Sequence, residues 1–118
     1  MPTLIPSPNL VEAAGTPPKR IREVAGRVNT TEPRLSIAHM TSPPGWSEPW
    51  QRPEFEEWTY VLSGAIVVEH DGDRFEVAVG QAVHVAVGER VRYSTPDGAD
   101  YIAVCLPAFA PDIVHRED

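Results

Sequence analysis

The chain has 118 residues, of which 42% are hydrophobic and 23% are charged, and its formal net charge is −7. This length suits one domain with one modest core. The negative charge argues against a nucleic-acid partner, whose phosphates would require neutralising Lys and Arg side chains. No apolar run approaches the ~20 residues of a membrane span, and no secretion-signal pattern begins the sequence. With the single cysteine Cys105, which excludes an intrachain disulfide, these features predict a cytoplasmic protein without nucleic-acid or membrane partners.

The first 34 residues predict an irregular arm, because their prolines prevent long regular structure. One short helix is expected around residues 19–24. A free arm of this length would gain nothing to offset its ordering entropy, so it should pack on the body or on a neighbouring subunit. We therefore divide the chain into an arm, 1–34, and one barrel domain, 35–118. The prolines of the arm are Pro2, Pro6, Pro8, Pro17, Pro18 and Pro33.

From residue 35 onward the sequence has the period of two that is typical of strands. Leu35, Ile37 and His39 share one face of the first such strand. Because two of these three residues are strongly apolar, their face is expected to point into the core. His39 is then a candidate for the interior.

A β-hairpin is the clearest local prediction, in the stretch VVEHDGDRFEVAVG (67–80). Its Asp71-Gly72 pair suits a two-residue type I′ turn, which requires positive φ at both central residues. The turn sets Glu69 opposite Arg74, which predicts an ion pair on one face. The same register predicts an apolar opposite face, formed by Ile66, Val68, Phe75 and Val77.

Three further short strands are predicted at 81–85, 91–94 and 101–106. Gly80, Gly88 and the turn TPDG (95–98) separate them. Many short strands with glycine and proline at the corners predict an antiparallel sandwich or barrel with little helix.

The spacing after Gly45 carries a resemblance to a known family. Five residues lead to Gln51, one more to Pro53, three intervene before Glu57 and six before Gly64. This arrangement resembles the first motif of the cupin superfamily, Gly-x5-His-x-His-x3-Glu-x6-Gly, with glutamine and proline in the two histidine places. The second cupin motif, counted from Gly80, is similar, with valine (91) and threonine (95) where the motif has His and Asn.

The resemblance covers residues 35–106 and implies an all-β, antiparallel jelly-roll barrel. It also implies a metal centre, since metal-bearing cupins hold Mn, Fe, Ni, Zn or Cu with three histidines and a glutamate. Of that set only Glu57 is kept, and Val91 has no donor atom. The oxygens of Gln51 and Glu57 would form a weak site that favours hard ions. We therefore expect either no cofactor or a weakly bound divalent metal held by these two residues.

Several side chains are candidates for contact with a ligand in the barrel. Glu57 is the candidate catalytic base. If its carboxylate points into the barrel, it requires a cation or a hydrogen-bond donor beside it, or it must be protonated. An ion pair with an inward arginine is the alternative. Gln51 contacts a ligand or is a satisfied buried amide. Tyr93 should face the cavity with Val91, or simply pack in the core. His39 and His84 are further ligand-binding candidates, although the pattern around His84 allows either face.

Three functions remain open at this level. The first is binding of a small organic molecule in the barrel without a firmly bound transition metal. The second is isomerase or lyase chemistry, with Glu57 as general base or as ligand of a weakly held divalent metal. The third is a structural or regulatory subunit that forms a homodimer. Trp46, Trp50 and Trp58 are expected at the barrel rim or at the dimer interface rather than in ligand stacking.

Overall fold

The computed structural model describes residues 1–13 and 15–117. The described residues form nine β-strands and a single 3₁₀ turn, Pro111–Ile113, which confirms the expectation of little helix. None of the described residues belongs to a helix long and apolar enough to cross a membrane. The strands are β1 (Asn9–Val11), β2 (Arg20–Ala25), β3 (Ser36–Ser42), β4 (Trp46–Ser47), β5 (Glu56–His70), β6 (Asp73–Ala78), β7 (Ala82–Val85), β8 (Arg92–Thr95) and β9 (Ala99–Leu106).

The strands form one curled antiparallel sheet whose two halves face each other. The order is β1-β2-β3-β9-β5-β8-β4, and both β6 and β7 pair with β5. The 15-residue strand β5 belongs to both halves: its first part pairs with β9 and β7, and its second part with β6 and β8. This is the jelly roll that the sequence predicts.

A β-bulge in β5 separates the two halves. The register of β5 against β9 shifts between Val61 and Ser63, which reverses the alternation of inward and outward residues. Before the bulge the odd-numbered residues point inward, and after it Ile66 and Val68 do. Gly64 follows the bulge at φ +73°, and a Cβ there would lie 2.2 Å from the carbonyl oxygen of Gly98. Glycine is therefore required at this position.

The predicted hairpin register is confirmed, with Glu69 opposite Arg74. The predicted ion pair is wrong. Glu69 pairs instead with Arg92, at 2.9 Å, because β8 is the other neighbour of this part of β5 and places Arg92 directly opposite Glu69. The predicted apolar face is present, since Ile66 lies opposite Val77 and Val68 opposite Phe75, and on it Phe75 alone is exposed, at 42%.

The helix expected around residues 19–24 is also wrong. That segment forms β2, which pairs with β3 and alternates buried Ile21, Glu23 and Ala25 with more exposed residues. The inward face of β3 consists of Ser36, Ala38 and Met40, not of the face that carries His39. Leu35 and Ile37 do not identify the inward face of β3, because apolar residues also occur on the outer face of the sheet, as Ile37 does here.

The segment after β9 returns across the barrel and pairs with the segment before β5. Backbone hydrogen bonds run from Glu54 to Ile113 (2.8 Å), from Arg52 to His115 (3.3 Å) and from Glu117 to Trp50 (2.7 Å). Phe55, Cys105 and Val114 form a small core cluster beneath this segment. The C-terminal segment thus closes one side of the roll.

Candidate functional site

A partly open cavity of about 40 Å³ lies between the two halves of the roll. It has room for about three water molecules. The arm, the first-motif segment, β5, β8, β9 and the C-terminal segment each contribute to its wall. Its charged and polar lining consists of Lys19, Glu48, Gln51, Glu57, Thr59, Tyr93, Tyr101 and Arg116, among apolar side chains that include Ile21, Ile66, Ala103 and Phe109.

Glu57 is the second residue of the long strand β5, and its side chain points into this cavity. The Tyr93 hydroxyl donates a hydrogen bond to Oε1 of Glu57 at 3.0 Å, and the Cys105 thiol donates to Oε2 at 3.3 Å. Cys105 reaches the carboxyl because it lies directly opposite Glu57 in the β5–β9 pairing. Burial raises the pKa of Glu57, and the two donated hydrogen bonds oppose that rise. The carboxyl is satisfied by neutral donors rather than by the inward arginine considered above.

Glu48 is a second buried carboxyl in the same cavity. Its residue is 8% exposed, and burial raises its pKa from 4.5 to about 7, with Lys19 and Arg116 opposing the rise and Glu57 adding to it. No hydrogen bond to its side chain occurs within the described residues. Near neutral pH Glu48 can therefore either give or take a proton.

Two cations approach the same space from the two ends of the chain. The Nζ atom of Lys19 lies 4.4 Å from the centroid of the Trp46 ring and 3.4 Å from the Tyr101 hydroxyl. Arg116 belongs to the C-terminal segment, opposite Gln51, and its Nε atom is buried without an acceptor among the described residues. The cavity thus combines two carboxyls with two basic groups.

The structure places the predicted site residues in two groups. Gln51, Glu57 and Tyr93 line the cavity. His39 does not: it lies on the outer face of β3, with its side chain 35% exposed and its Nε2 3.5 Å from Asp100. His84 does not line the cavity either; it stacks on Trp58 outside the barrel, at 4.4 Å between ring centroids, 3.1 Å from Glu56. Their assignment to a ligand in the barrel is corrected, because the strand faces that carry them point outward.

The tryptophans divide between the core and the surface. Trp46 is 1% exposed and belongs to the core, which corrects the expectation of a rim position. Trp50 is half-buried beneath the guanidinium groups of Arg90 and Arg92, at 4.1 and 5.1 Å from its ring centroid. Trp58, 41% exposed, lies on the outer face of the sheet.

The donor set of the cavity does not fit a transition metal. Its oxygen donors are Glu48, Glu57 and Gln51, and no imidazole lines it. Lys19 and Arg116 already supply positive charge to the same space, and the Glu57 oxygens accept hydrogen bonds from neutral groups. Across residues 1–13 and 15–117, no cluster of three His, Cys, Asp or Glu side chains is suited to a metal ion. Transition-metal ions such as zinc and copper prefer nitrogen or sulfur ligands.

The sequence reasoning missed Lys19, Glu48 and Arg116. Alternation from Trp46 would place Glu48 on the same side as the motif residues, so its position was accessible in principle. The two cations were not accessible in that way. Lys19 depends on the pairing of β2 with β3, and Arg116 on the return of the C-terminal segment, and both are long-range contacts.

Solved structures of several cupin-like proteins share this fold. The polyketide cyclase RemF from Streptomyces resistomycificus superposes with a TM-score of 0.75 at 18% identity, covering 98% of this chain and 84% of RemF. The EutQ protein of Clostridium difficile gives a TM-score of 0.67 at 22% identity, covering 77% of this chain and 64% of EutQ. At these identities the likeness establishes the fold.

Sequence comparisons give a family and a longer relative. A protein of Myxococcus xanthus named Endoribonuclease YbeY is 44% identical over 102 residues, which is 84% of this chain; the chain spans about a third (34%) of that relative's length. The family model for the cupin domain matches residues 38–106. This match covers more than half of the chain and agrees with the barrel, the motif spacing and the structural neighbours, and the chain therefore belongs to the cupin domain family.

Proposed function

We propose that the chain is a small-molecule-binding cupin that works without a firmly bound transition metal. The cavity carries this proposal, because it brings charged and hydrogen-bonding groups together inside an otherwise apolar roll. Binding sites commonly combine an apolar wall with a few convergent polar groups. The donor set, which lacks imidazole, supports the part of the proposal that concerns the metal.

The test blocks the cavity with a small substitution and compares it with the same change outside. Ala103 is 2% exposed and lines the cavity, whereas Ala82 is exposed on β7. Ala103→Val should abolish ligand-observed NMR signals from a library of small polar metabolites, and Ala82→Val should retain them. Circular dichroism checks that both variants are folded. Equal binding by both variants would contradict the cavity as the binding site.

Metal analysis tests the second part of the proposal. Protein purified without chelator should contain Fe, Ni, Cu and Zn only far below one equivalent, as measured by plasma mass spectrometry. A stoichiometric amount of any of these ions would overturn the metal-independent assignment.

Acid–base catalysis is the second candidate function, and Glu57 favours it. A carboxyl with a raised pKa, held by Tyr93 and Cys105 and facing a cavity, has the properties of a general base. It would take a proton from the carbon next to a carbonyl group, as isomerases and lyases require. The measurement is exchange of the pyruvate methyl protons with D₂O, followed by NMR. Glu57→Gln should remove any enzyme-dependent exchange, and unchanged exchange would exclude this role.

We also propose a homodimer, for which the outer face of β5 gives the support. Trp58, Tyr60 and Leu62 alternate along that face and are 41%, 48% and 45% exposed. Exposed apolar patches of this kind mark interaction surfaces. Light scattering at micromolar concentration should give a dimer mass, and Tyr60→Asp should give a monomer; a monomeric wild-type protein would contradict the proposal.

Ribonuclease activity and a nucleic-acid partner form no part of this proposal. The relative that carries the endoribonuclease name is about three times longer than the stretch matched, and the net charge of −7 opposes a polyphosphate ligand. A cytoplasmic location, with the reduced thiol of Cys105, stays the prediction of the sequence.

A further inference from the structure

The ammonium group of Lys19 has no direct carboxylate partner among the described residues. Its Nζ atom donates only two long hydrogen bonds, both to uncharged groups: the Met40 sulfur at 3.5 Å and the Tyr101 hydroxyl at 3.4 Å. It forms no ion pair within residues 1–13 and 15–117. An ammonium group has three donors and no acceptor, so Lys19 retains donor capacity toward the cavity.

Arg116 presents a second unsatisfied donor on the other side of the same space. Its Nε atom is buried and lacks an acceptor in the described part of the chain, and its guanidinium lies 5.8 Å from the Phe109 ring centroid. A buried charged donor without an acceptor destabilises the folded state. This destabilisation is removed when an acceptor occupies the cavity.

The carboxyls of the cavity attract these two cations through space but accept no hydrogen bond from them. The oxygens of Glu57 accept from Tyr93 and Cys105. Only 8% of Glu48 is exposed, and the residue lines the cavity. Its side chain has no hydrogen bond among the described residues. A ligand that bridges the cations would also bring an acceptor to Glu48 in its protonated form.

The size and the wall of the cavity limit the ligand further. About 40 Å³ admits only a few heavy atoms. The wall beside the charged groups is apolar and includes Ile21, Ile66 and Phe109. A cationic ligand would be repelled by Lys19 and Arg116, whereas a carboxylate can accept hydrogen bonds from both and from Glu48 in its protonated form.

We propose that the cavity binds a small carboxylate anion, held by the Lys19 ammonium and the Arg116 Nε, with its short apolar end against Ile21 and Ile66. This inference rests on the proposed small-molecule function and adds the ligand class to it. The two charged contacts come from the arm and from the C-terminal segment, so both ends of the chain complete the site.

Calorimetric titration of the full chain with acetate, acetamide and methylammonium tests the ligand class. The three probes have similar size and carry negative, zero and positive charge. Acetate should bind, and the other two should bind at least about tenfold more weakly. If acetamide or methylammonium binds as tightly as acetate, the inference fails while the small-molecule function stands. If none of the three binds, the inference fails, and the Ala103→Val comparison decides separately whether the cavity binds another molecule.

Substitution of Lys19 tests its role against a control with the same change of charge. Lys19→Met should weaken acetate binding at least about tenfold. Arg20→Met removes one positive charge from the adjacent, exposed position and should leave binding within about twofold. Equal acetate binding by Lys19→Met and wild type would overturn the proposal, and Lys19→Arg should restore part of the affinity.

A measurement that needs no substitution guards against a misfolded variant. Lys19 is the only lysine of the chain, so reductive ¹³C-methylation labels its side chain and the N-terminal amine alone. The NMR signal of the labelled side chain should shift on addition of acetate and not on addition of acetamide. An unchanged signal at acetate saturation would contradict the contact.

Discussion

The two halves of the roll interior have opposite chemistry although one strand, β5, runs through both. Beyond the bulge, Val68 packs in an apolar cluster with the buried side chains of Val77, Val83 and Val85. Before the bulge, the same strand presents Glu57 and Thr59 to a cavity that also contains Glu48 and Lys19. The valine-rich half stabilises the fold through the burial of apolar side chains, while the half that precedes the bulge contains buried charged groups whose desolvation opposes folding.

This contrast shows which half of the interior contributes most to stability and which half opposes it. Buried ionisable groups raise the free energy of the folded state unless a partner or ligand satisfies them. The charged cavity is tolerated because the valine-rich half supplies the packing that holds the roll closed. Three changes would break or sharpen this comparison, taken from the largest expected effect to the smallest.

The largest effect is expected at the bulge that separates the halves. Gly64→Ala places a Cβ at positive φ and 2.2 Å from the Gly98 oxygen, so backbone must move. We expect a loss of about 3–5 kcal/mol in the free energy of unfolding, measured by urea denaturation. Gly72→Ala is the matched control, because its φ is also positive (+76°) but its Cβ meets nothing within 4 Å; it should cost about 1 kcal/mol. Equal costs would show that the bulge is not tightly held.

The charged half should make stability depend on pH. The pKa of Glu48 rises from 4.5 to about 7 on folding because of burial, so the unfolded chain loses this proton at lower pH than the folded one. Stability should be fully present below about pH 4.5 and fall as the pH approaches 7, by up to about 3 kcal/mol from this group. Burial of Glu57 acts in the same direction.

Glu48→Gln isolates that contribution. Urea unfolding across this pH range should show a shallower fall for Glu48→Gln than for wild type. Identical slopes would mean that the Glu48 carboxyl is as well solvated in the folded state as in the unfolded chain.

The smallest effect comes from exchanging residue types between the apolar cluster and the cavity wall. Val61, just before the bulge, is fully buried in the apolar cluster, and Thr59 faces the cavity on the same face of the same strand. Val61→Thr should cost about 2 kcal/mol, because it buries a hydroxyl without a partner. Thr59→Val should change the free energy of unfolding by less than about 0.5 kcal/mol, since the Thr59 hydroxyl has no hydrogen-bond partner among the described residues. Equal costs in urea unfolding would remove the distinction between the halves.

Local signals in the sequence were sufficient for the frame of the molecule. The Asp71-Gly72 turn gave the hairpin register, and the glycine spacing around Glu57 gave the family and the inward direction of Gln51. Both rest on short-range geometry, which the sequence states directly. The face of His39 and the partner of Glu69 could not be read in this way, because they depend on which strand lies beside them.

The charged wall of the cavity was unpredictable for the same reason. Lys19 lies beside Pro17 and Pro18, which argue against regular structure, and the strand that follows it is formed through pairing with β3. Arg116 lies in a segment without periodic signal, and the burial of its Nε atom follows from hydrogen bonds between the C-terminal segment and residues 50–54. Contacts between segments so distant in the chain leave no periodic pattern.

The closing of the cavity by both chain ends has a consequence for comparisons within the family. The matched family segment is 38–106, whereas Lys19 precedes it and Arg116 follows it. If the cavity binds the proposed carboxylate, proteins that share the barrel can differ in their ligands through the flanking sequence alone, with the shared barrel unaltered. Grouping such proteins by their barrels would then combine members with different ligands, and the flanking segments would be the better guide.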